Sequence, residues 1–367
     1  MAVIGGGVIG LAVARELTAR GSAVVVLERD GIGSGASGVQ PGGVRQQWGT
    51  RVACRLARES VAFWREATDR LASRVPLVLR ESGYLFVART QDALAELEAN
   101  VRLQNEEGVP SRLVTPDEAA ELVLGLRAEA IVGGAWCPED GYFDQPQSVV
   151  EAFASGLDVR RAEVVALRPN GGSWEVALAS GERLAAAAVV VAAGVETSSL
   201  LAPLGLDLPI EAEDRYLFFS DPISERLLEP LVVSSELRFA AKQLASGRVL
   251  ASDLAARGDE QAGRTRWRAT IRAAVEELLP HLAYVSYPLL VRGCYDVTPD
   301  RQPALGPVPG LEGLFVAAGF SGHGFMIAPA VARIIADAVA GSLDPVLETL
   351  GVQRFAEGRL VPERQLV

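Results

Sequence analysis

The chain has 367 residues, of which 49% are hydrophobic and 22% charged, and carries a net charge of −11. That length exceeds what one core usually holds, so two packed lobes are expected, and the composition is that of a globular protein rather than a disordered one. The acidic balance argues against nucleic acid or an anionic membrane as partner, since both call for a basic face.

The first elements form a βαβ unit. Ala2 to Ile4 is a short apolar strand, Gly5 to Gly10 a glycine turn, and Leu11, Val13, Ala14 and Leu17 recur at helical spacing up to Gly21. Ser22 to Glu28 is an apolar run ending in an acid, as suits a parallel strand covered on both faces. Residues 31–43 hold six glycines and read as loop. Helical pattern resumes from about Thr50 to Leu71, a strand is predicted over 83–88, and an amphipathic helix over 92–107. Thr115-Pro116-Asp117-Glu118 is a capped helix start, and another helix is predicted over 144–156. Strands follow around Val159, Val164 and Trp174, and residues 188–193 close on Gly194. Residues 210–255 alternate like antiparallel strands, and a helix is predicted over 265–279. The last stretch offers a strand over 314–317, a glycine loop over 319–324 and a helix over 327–340.

No repeat or low-complexity linker divides the chain, so the lobes are expected to be woven from alternating segments. The longest apolar run, Leu184 to Val195, falls short of the roughly 20 residues of a membrane span and reads as a buried strand. No signal peptide precedes the first strand. Cys54, Cys137 and Cys294 form neither a zinc pattern nor a disulfide framework, which fits a reducing cytoplasm. Lys242 is the only lysine.

The turn carries the first chemistry. Gly5 allows a tight bend, Gly7 lets the backbone approach a pyrophosphate, and Gly10 lets the helix pack close on the strand. Val8 and Ile9 open the helix, whose N-terminus offers unpaired N–H groups to phosphate. Glu28 is placed to accept ribose hydroxyls, which disfavours NADP but leaves FAD and NAD open; Arg29 follows it. The run Gly33-Ser34-Gly35-Ala36-Ser37-Gly38, with Gly42-Gly43-Val44-Arg45, continues where an extended FAD would carry its pyrophosphate toward the flavin ring. An NAD enzyme has no need of that second glycine run.

The segment from Glu28 to Gly38 resembles the D-amino-acid oxidase superfamily of flavoproteins, with the glycine oxidase and sarcosine oxidase branches nearest in appearance. Gly293-Cys294-Tyr295-Asp296-Val297-Thr298-Pro299-Asp300 and Ala318-Gly319-Phe320-Ser321-Gly322-His323-Gly324-Phe325 agree with it. Weaker matches stand at Gly83-Tyr84-Leu85, Asp140-Gly141-Tyr142 and Ala192-Ala193-Gly194. The resemblance implies a mixed α/β and α+β fold, in which a Rossmann-like FAD-binding domain from 1–78, 139–209 and 286–367 is interwoven with a mainly antiparallel-sheet substrate domain from 79–138 and 210–285. It implies that Val164 meets the adenine side, that Ala193 and Gly194 lie by the adenosine end, and that Gly319, Gly322, His323, Gly324, Phe325 and Met326 lie at the ring. His323 is expected to order this loop through a hydrogen bond, and His281 to be structural.

The activity implied is oxidation of the C–N bond of a small amino acid or secondary amine, with hydride passing to the flavin and the imine hydrolysed. Oxygen or another acceptor would take the electrons. The runner-up readings are a flavin dehydrogenase of 2-hydroxy acids and the flavin subunit of a larger amine dehydrogenase. The chain departs from the family at three carboxylate anchors: Met326 stands for a lysine, Trp48 for an arginine, and Tyr295 for another arginine. Arg45, Lys242 and Arg292 remain as candidates, Arg45 foremost, and the losses point to a bulkier amine such as an N-alkylated glycine. Some sarcosine oxidases tether flavin through a cysteine, but the alignment puts Gly293, not Cys294, at that place, so FAD is expected to be held non-covalently.

Overall fold

The computed structural model describes residues 1–365, so the last two residues of the expected 286–367 segment lie outside the described residues. One six-stranded sheet runs in the order Ala304–Pro307, Leu314–Ala318, Val189–Val191, Ala2–Ile4, Val25–Glu28, Asp158–Arg161. Its strands pair in parallel except at the antiparallel edge Ala304–Pro307. The central strands Ala2–Ile4, Val189–Val191 and Leu314–Ala318 are wholly buried, which explains their unbroken apolar sequences.

On one face the Val8–Ala19 helix packs beside the Gly324–Val339 helix, which in turn leans on Arg51–Arg65. The first helix ends as its sequence predicts. Gly21 turns left-handed at φ 87°, its N–H reaches Thr18 O at 2.9 Å, and Ser22 N reaches Leu17 O at 3.0 Å. A three-stranded antiparallel meander, Val164–Asn170, Ser173–Leu178 and Arg183–Ala186, flanks the sheet.

The second body is an eight-stranded sheet in the order Leu289–Val297, Glu211–Pro222, Arg248–Asp253, Phe239–Gln243, Leu231–Ser234, Tyr84–Ala88, Gly133–Cys137, Arg112–Val114. All its pairings are antiparallel but that of Leu231–Ser234 with Tyr84–Ala88. Register gives this sheet two characters. Phe218, Phe239, Ala241, Val249 and Ala251 face the Glu260–Leu278 helix and bury against Trp267 and Ile271. The opposite face carries Glu213, Arg215, Lys242 and Tyr295, and it is turned toward the first lobe. Because the Leu289–Val297 strand leads from this sheet into the Ala304–Pro307 strand, the chain crosses between lobes there.

Several predicted elements shift at their ends. The loop over 31–43 contains a one-turn helix, Ala36–Val39, and the last long helix begins at Gly324, three residues earlier than its apolar periodicity indicates. Glycines conceal helix starts because they contribute nothing to that periodicity.

Candidate functional site

A cleft of about 610 Å³ runs from the C-terminal ends of the parallel strands to the eight-stranded sheet. Gly5, Gly7, Val8, Ile9, Glu28, Arg29 and Ser34 to Ser37 line one end, with Val164, Ala193 and Gly194 across from them. Tyr295, Gly322, Gly324 and Phe325 line the other. Residues distant in sequence thus share one wall because the switch in strand order opens a crevice above adjacent strand ends.

Close approach dictates the glycine turn. A Cβ on Gly5 would stand 2.3 Å from Ala192 O, and one on Gly10 would stand 2.0 Å from Gly5 O. Gly10 therefore serves helix–strand packing rather than lining the cleft. Glu28 knits the turn to the following loop: its carboxylate accepts from Gly6 N at 2.7 Å, Asp30 N at 2.8 Å and Gly31 N at 3.2 Å. Ser37 Oγ accepts from Val8 N at 2.9 Å, closing the loop over the helix start. Arg29 is paired with Glu196 at 2.6 Å on the cleft's rim. Such a crevice, with backbone exposed by glycines at a helix N-terminus, suits a diphosphate.

At the other end the Gly319–Gly324 loop is held from beneath. Asp296 accepts from Gly319 N at 2.7 Å, and burial pushes its carboxyl up to about 6. Gly322 adopts φ 91°, and a Cβ there would fall 2.2 Å from Tyr295 Cε2. Tyr295 therefore packs against the loop. His323 is buried, its ring edge-on to Trp48 at 4.4 Å between centroids. Its side chain makes no hydrogen bond among the described residues, so the loop-ordering role expected of it falls to this aromatic contact. Burial, then the charges of Arg45, Arg215 and Arg301, hold its pKa well below the usual value, so the ring is neutral.

The anchor candidates fare differently. Arg45 is buried and stacks on Trp48, with its carbon 3.7 Å from the ring centroid. It donates to Gln365 O at 2.6 Å and to Gln47 O, and has no ion-pair partner among the described residues. Trp48 is sandwiched between Arg45 and His323 and does not line the cleft. Met326 packs against the core of the first lobe, its carbonyl accepting from Trp64 Nε1 at 2.8 Å. Lys242 is buried, donates to Pro41 O at 2.6 Å and sits 4.0 Å from the Tyr142 ring centroid; burial pushes its pKa down to about 7. Arg292 is exposed and paired with Asp214 at 2.8 Å, so it is removed as an anchor.

Gly43 and Val44 form a short strand with Gly141–Phe143, and Gly42 O accepts from Phe143 N at 2.8 Å. Gly43 also lies against Tyr84 Oη. Gly293 faces Val39 on the strand, while its neighbour Cys294 borders the cleft; burial raises the pKa of its thiol. Two roles escaped the sequence. Asp140, wholly buried, accepts from Gln46 N at 2.6 Å and Gln47 Nε2 at 3.0 Å, bracing the Arg45 loop; burial pushes it up to about 6. Glu213 gathers Arg215 from its own strand and Arg257 and Arg301 from loops, a meeting made only by the tertiary fold. Among the described residues no helix is long and apolar enough to cross a membrane, and no cluster of His, Cys, Asp and Glu could hold a metal.

Known proteins share this arrangement. Glycine oxidase of Geobacillus kaustophilus (strain HTA426) is 28% identical over 92% of this chain and 92% of its own. The 4-methylaminobutanoate oxidase (formaldehyde-forming) of Paenarthrobacter nicotinovorans is 27% identical over 96% of this chain, which spans 45% of that enzyme's length. Among solved structures, L-proline dehydrogenase from P. horikoshii superposes with a TM-score of 0.89 at 28% identity, covering 98% of each chain. The model of the family described as "FAD dependent oxidoreductase" matches residues 1–338, taking in both ends of the cleft. A match so continuous, over a crevice shaped for a dinucleotide, places the chain in the FAD-dependent oxidoreductase family, with FAD as its cofactor.

Proposed function

We propose that the chain oxidises the C–N bond of a small amino acid or secondary amine of the glycine, sarcosine or N-alkylglycine type, the imine product being hydrolysed in water. The observation that carries this reading is the end-to-end likeness to glycine oxidase, reinforced by the 4-methylaminobutanoate oxidase. Bound FAD supplies the hydride acceptor.

The chain's residues bind, orient and exclude water. Gly5, Gly7, Val8 and Ile9, set by Gly10, take the diphosphate with Ser34, Gly35, Ala36 and Ser37. Glu28, Arg29, Val164, Ala193 and Gly194 take the adenosine. Gly42, Gly43, Val44, Gly293, Gly319, Gly322, His323, Gly324 and Phe325 hold the ring, with Met326 behind them. The N-terminus of the Gly324–Val339 helix opens on the cleft, and its field favours negative charge arriving there. An amine must lose its proton before its carbon can give up hydride, and His323, whose pKa burial lowers, adds no charge beside the ring. Tyr295, on the sheet face that covers the cleft, keeps water from the reacting carbon.

Anaerobic titration tests the reading. Sarcosine, glycine or an N-alkylglycine should bleach the flavin absorbance of the purified holoprotein; bleaching by 2-hydroxy acids alone would sink it. The raised thiol pKa of Cys294 supports non-covalent FAD, because the thiolate is the reactive form. Acid precipitation should then leave the flavin in the supernatant. The three cysteines are free, which agrees with a cytoplasmic home. Stopped-flow mixing of reduced protein with air-saturated buffer distinguishes oxygen from another acceptor.

A further inference from the structure

Three arginines converge on one carboxylate beside the cleft. Glu213 receives Arg257 Nε at 3.0 Å and Arg301 Nη1 at 3.3 Å, and Arg215 closer still. Burial works to raise the Glu213 carboxyl, but the three guanidinium groups outweigh it and hold it below its usual range. The cluster keeps a surplus of two positive charges in a chain whose net charge is −11. At Arg333 the balance runs the other way, one arginine being shared by Glu59, Asp337 and Asp344. Nearby carboxylates do not correct the surplus, because Asp214 is spent on Arg292 and Asp296 on Gly319 N.

The surplus lies beside the cleft without lining it. Cross-strand register sets Glu213 opposite Tyr295 and Arg215 opposite Gly293, so Glu213, Arg215 and Tyr295 share the sheet face turned toward the cleft. The Arg215 guanidinium carbon lies 4.9 Å from the Tyr295 ring centroid, and that ring lies on Gly322 and lines the cleft. Donors remain available. Arg215 Nε, Arg257 Nη2 and Arg301 Nε have no partner among the described residues, and the three side chains keep 17%, 35% and 29% of their surface exposed.

We propose that Arg215, Arg257 and Arg301 receive a carboxylate of the substrate, with Glu213 as a built-in counter-ion that the substrate's charge partly relieves. This rests on the amine-oxidation reading and narrows it to acidic amines, with dicarboxylates favoured over monocarboxylates. It also accounts for the missing anchors at 48, 295 and 326: Arg215 on the strand beside Tyr295, with Arg257 and Arg301 from loops, meets the anion instead.

The test uses the FAD-loaded full chain, with succinate as a non-reacting probe read by the flavin's visible spectrum, and glycine, glycinamide and iminodiacetate as reductants. Arg215→Met and Arg301→Gln should each weaken succinate binding by about 10- to 100-fold, the range for losing a charge-assisted hydrogen bond. They should erase the preference for acid over amide mainly through KM. Glu213→Gln should tighten succinate binding, an outcome that a purely structural ion cluster would not give. Unchanged acid-to-amide ratios in both arginine variants at full flavin content would overturn the proposal, as would Glu213→Gln weakening the probe. If no amine bleaches the flavin yet the succinate responses follow this pattern, amine oxidation falls and the anion site stands.

Discussion

Gly322 shows how far a single residue can govern this cleft. Its left-handed backbone and its contact with Tyr295 forbid a side chain on two separate grounds. Gly322→Ala should cost about 1–3 kcal/mol of backbone strain and displace the tyrosine ring. The expected result is a lower ratio of flavin to protein absorbance in the purified variant; full occupancy with unaltered turnover would refute the role given to that contact. Residues of this kind were legible in the sequence. Gly5, Gly7, Gly10 and Glu28 depend on neighbours within one βαβ unit, so spacing alone announced them. Arg215 was not legible, because its meaning arises from register with a strand some 80 residues away. Arg45 was legible as a candidate, but its acceptor at Gln365 was not, since nothing local joins the two.

At the scale of elements, the segment after the last long helix is anchored by a buried ion pair. Arg354 and Asp300 are fully buried, joined at 2.8 Å and 3.0 Å, and Arg354 also donates to Leu350 O at 2.9 Å and Gln302 O at 2.8 Å. Burial tends to raise the Asp300 carboxyl, but Arg354 outweighs it and keeps it below its usual range. The same segment brings Glu363 to Gly49 N and Thr50 Oγ1, each at 2.8 Å, and Gln365 O to Arg45. Arg354→Met leaves a buried carboxylate alone and should cost about 3–5 kcal/mol, whereas the double change with Asp300→Leu should cost less. Urea unfolding of the two variants decides it; equal losses would mean that the pair contributes through packing alone. The sequence marked Thr298-Pro299-Asp300 by resemblance, while its partner lay beyond the matched residues 1–338 and carried no motif.

For the whole molecule, the two lobes meet across Lys242, whose ammonium reaches from the antiparallel sheet to Pro41 in the flavin-side loop. Burial lowers its pKa to about 7, so the folded chain binds fewer protons there than the unfolded chain between about pH 7 and its ordinary value of 10.5. Stability from this site therefore rises with pH across that window. The stability difference between wild type and Lys242→Met should move in favour of wild type from pH 7 to pH 10; a flat difference would mean that the amine is not desolvated in solution. Overall topology was readable because alternation of helical and strand periodicities separates a parallel sheet from an antiparallel one. The contact across the lobes was not, since it joins a sheet residue to a loop carbonyl 201 positions away.

One consequence reaches the bench. The chain has a single side-chain amine, and it is shut between the lobes at 1% exposure. Acylating reagents can reach it only when the lobes part, so the rate at which Lys242 is modified, read by mass spectrometry, is a clock for that opening. A ligand that clamps the lobes together should slow the clock, with no engineered label required.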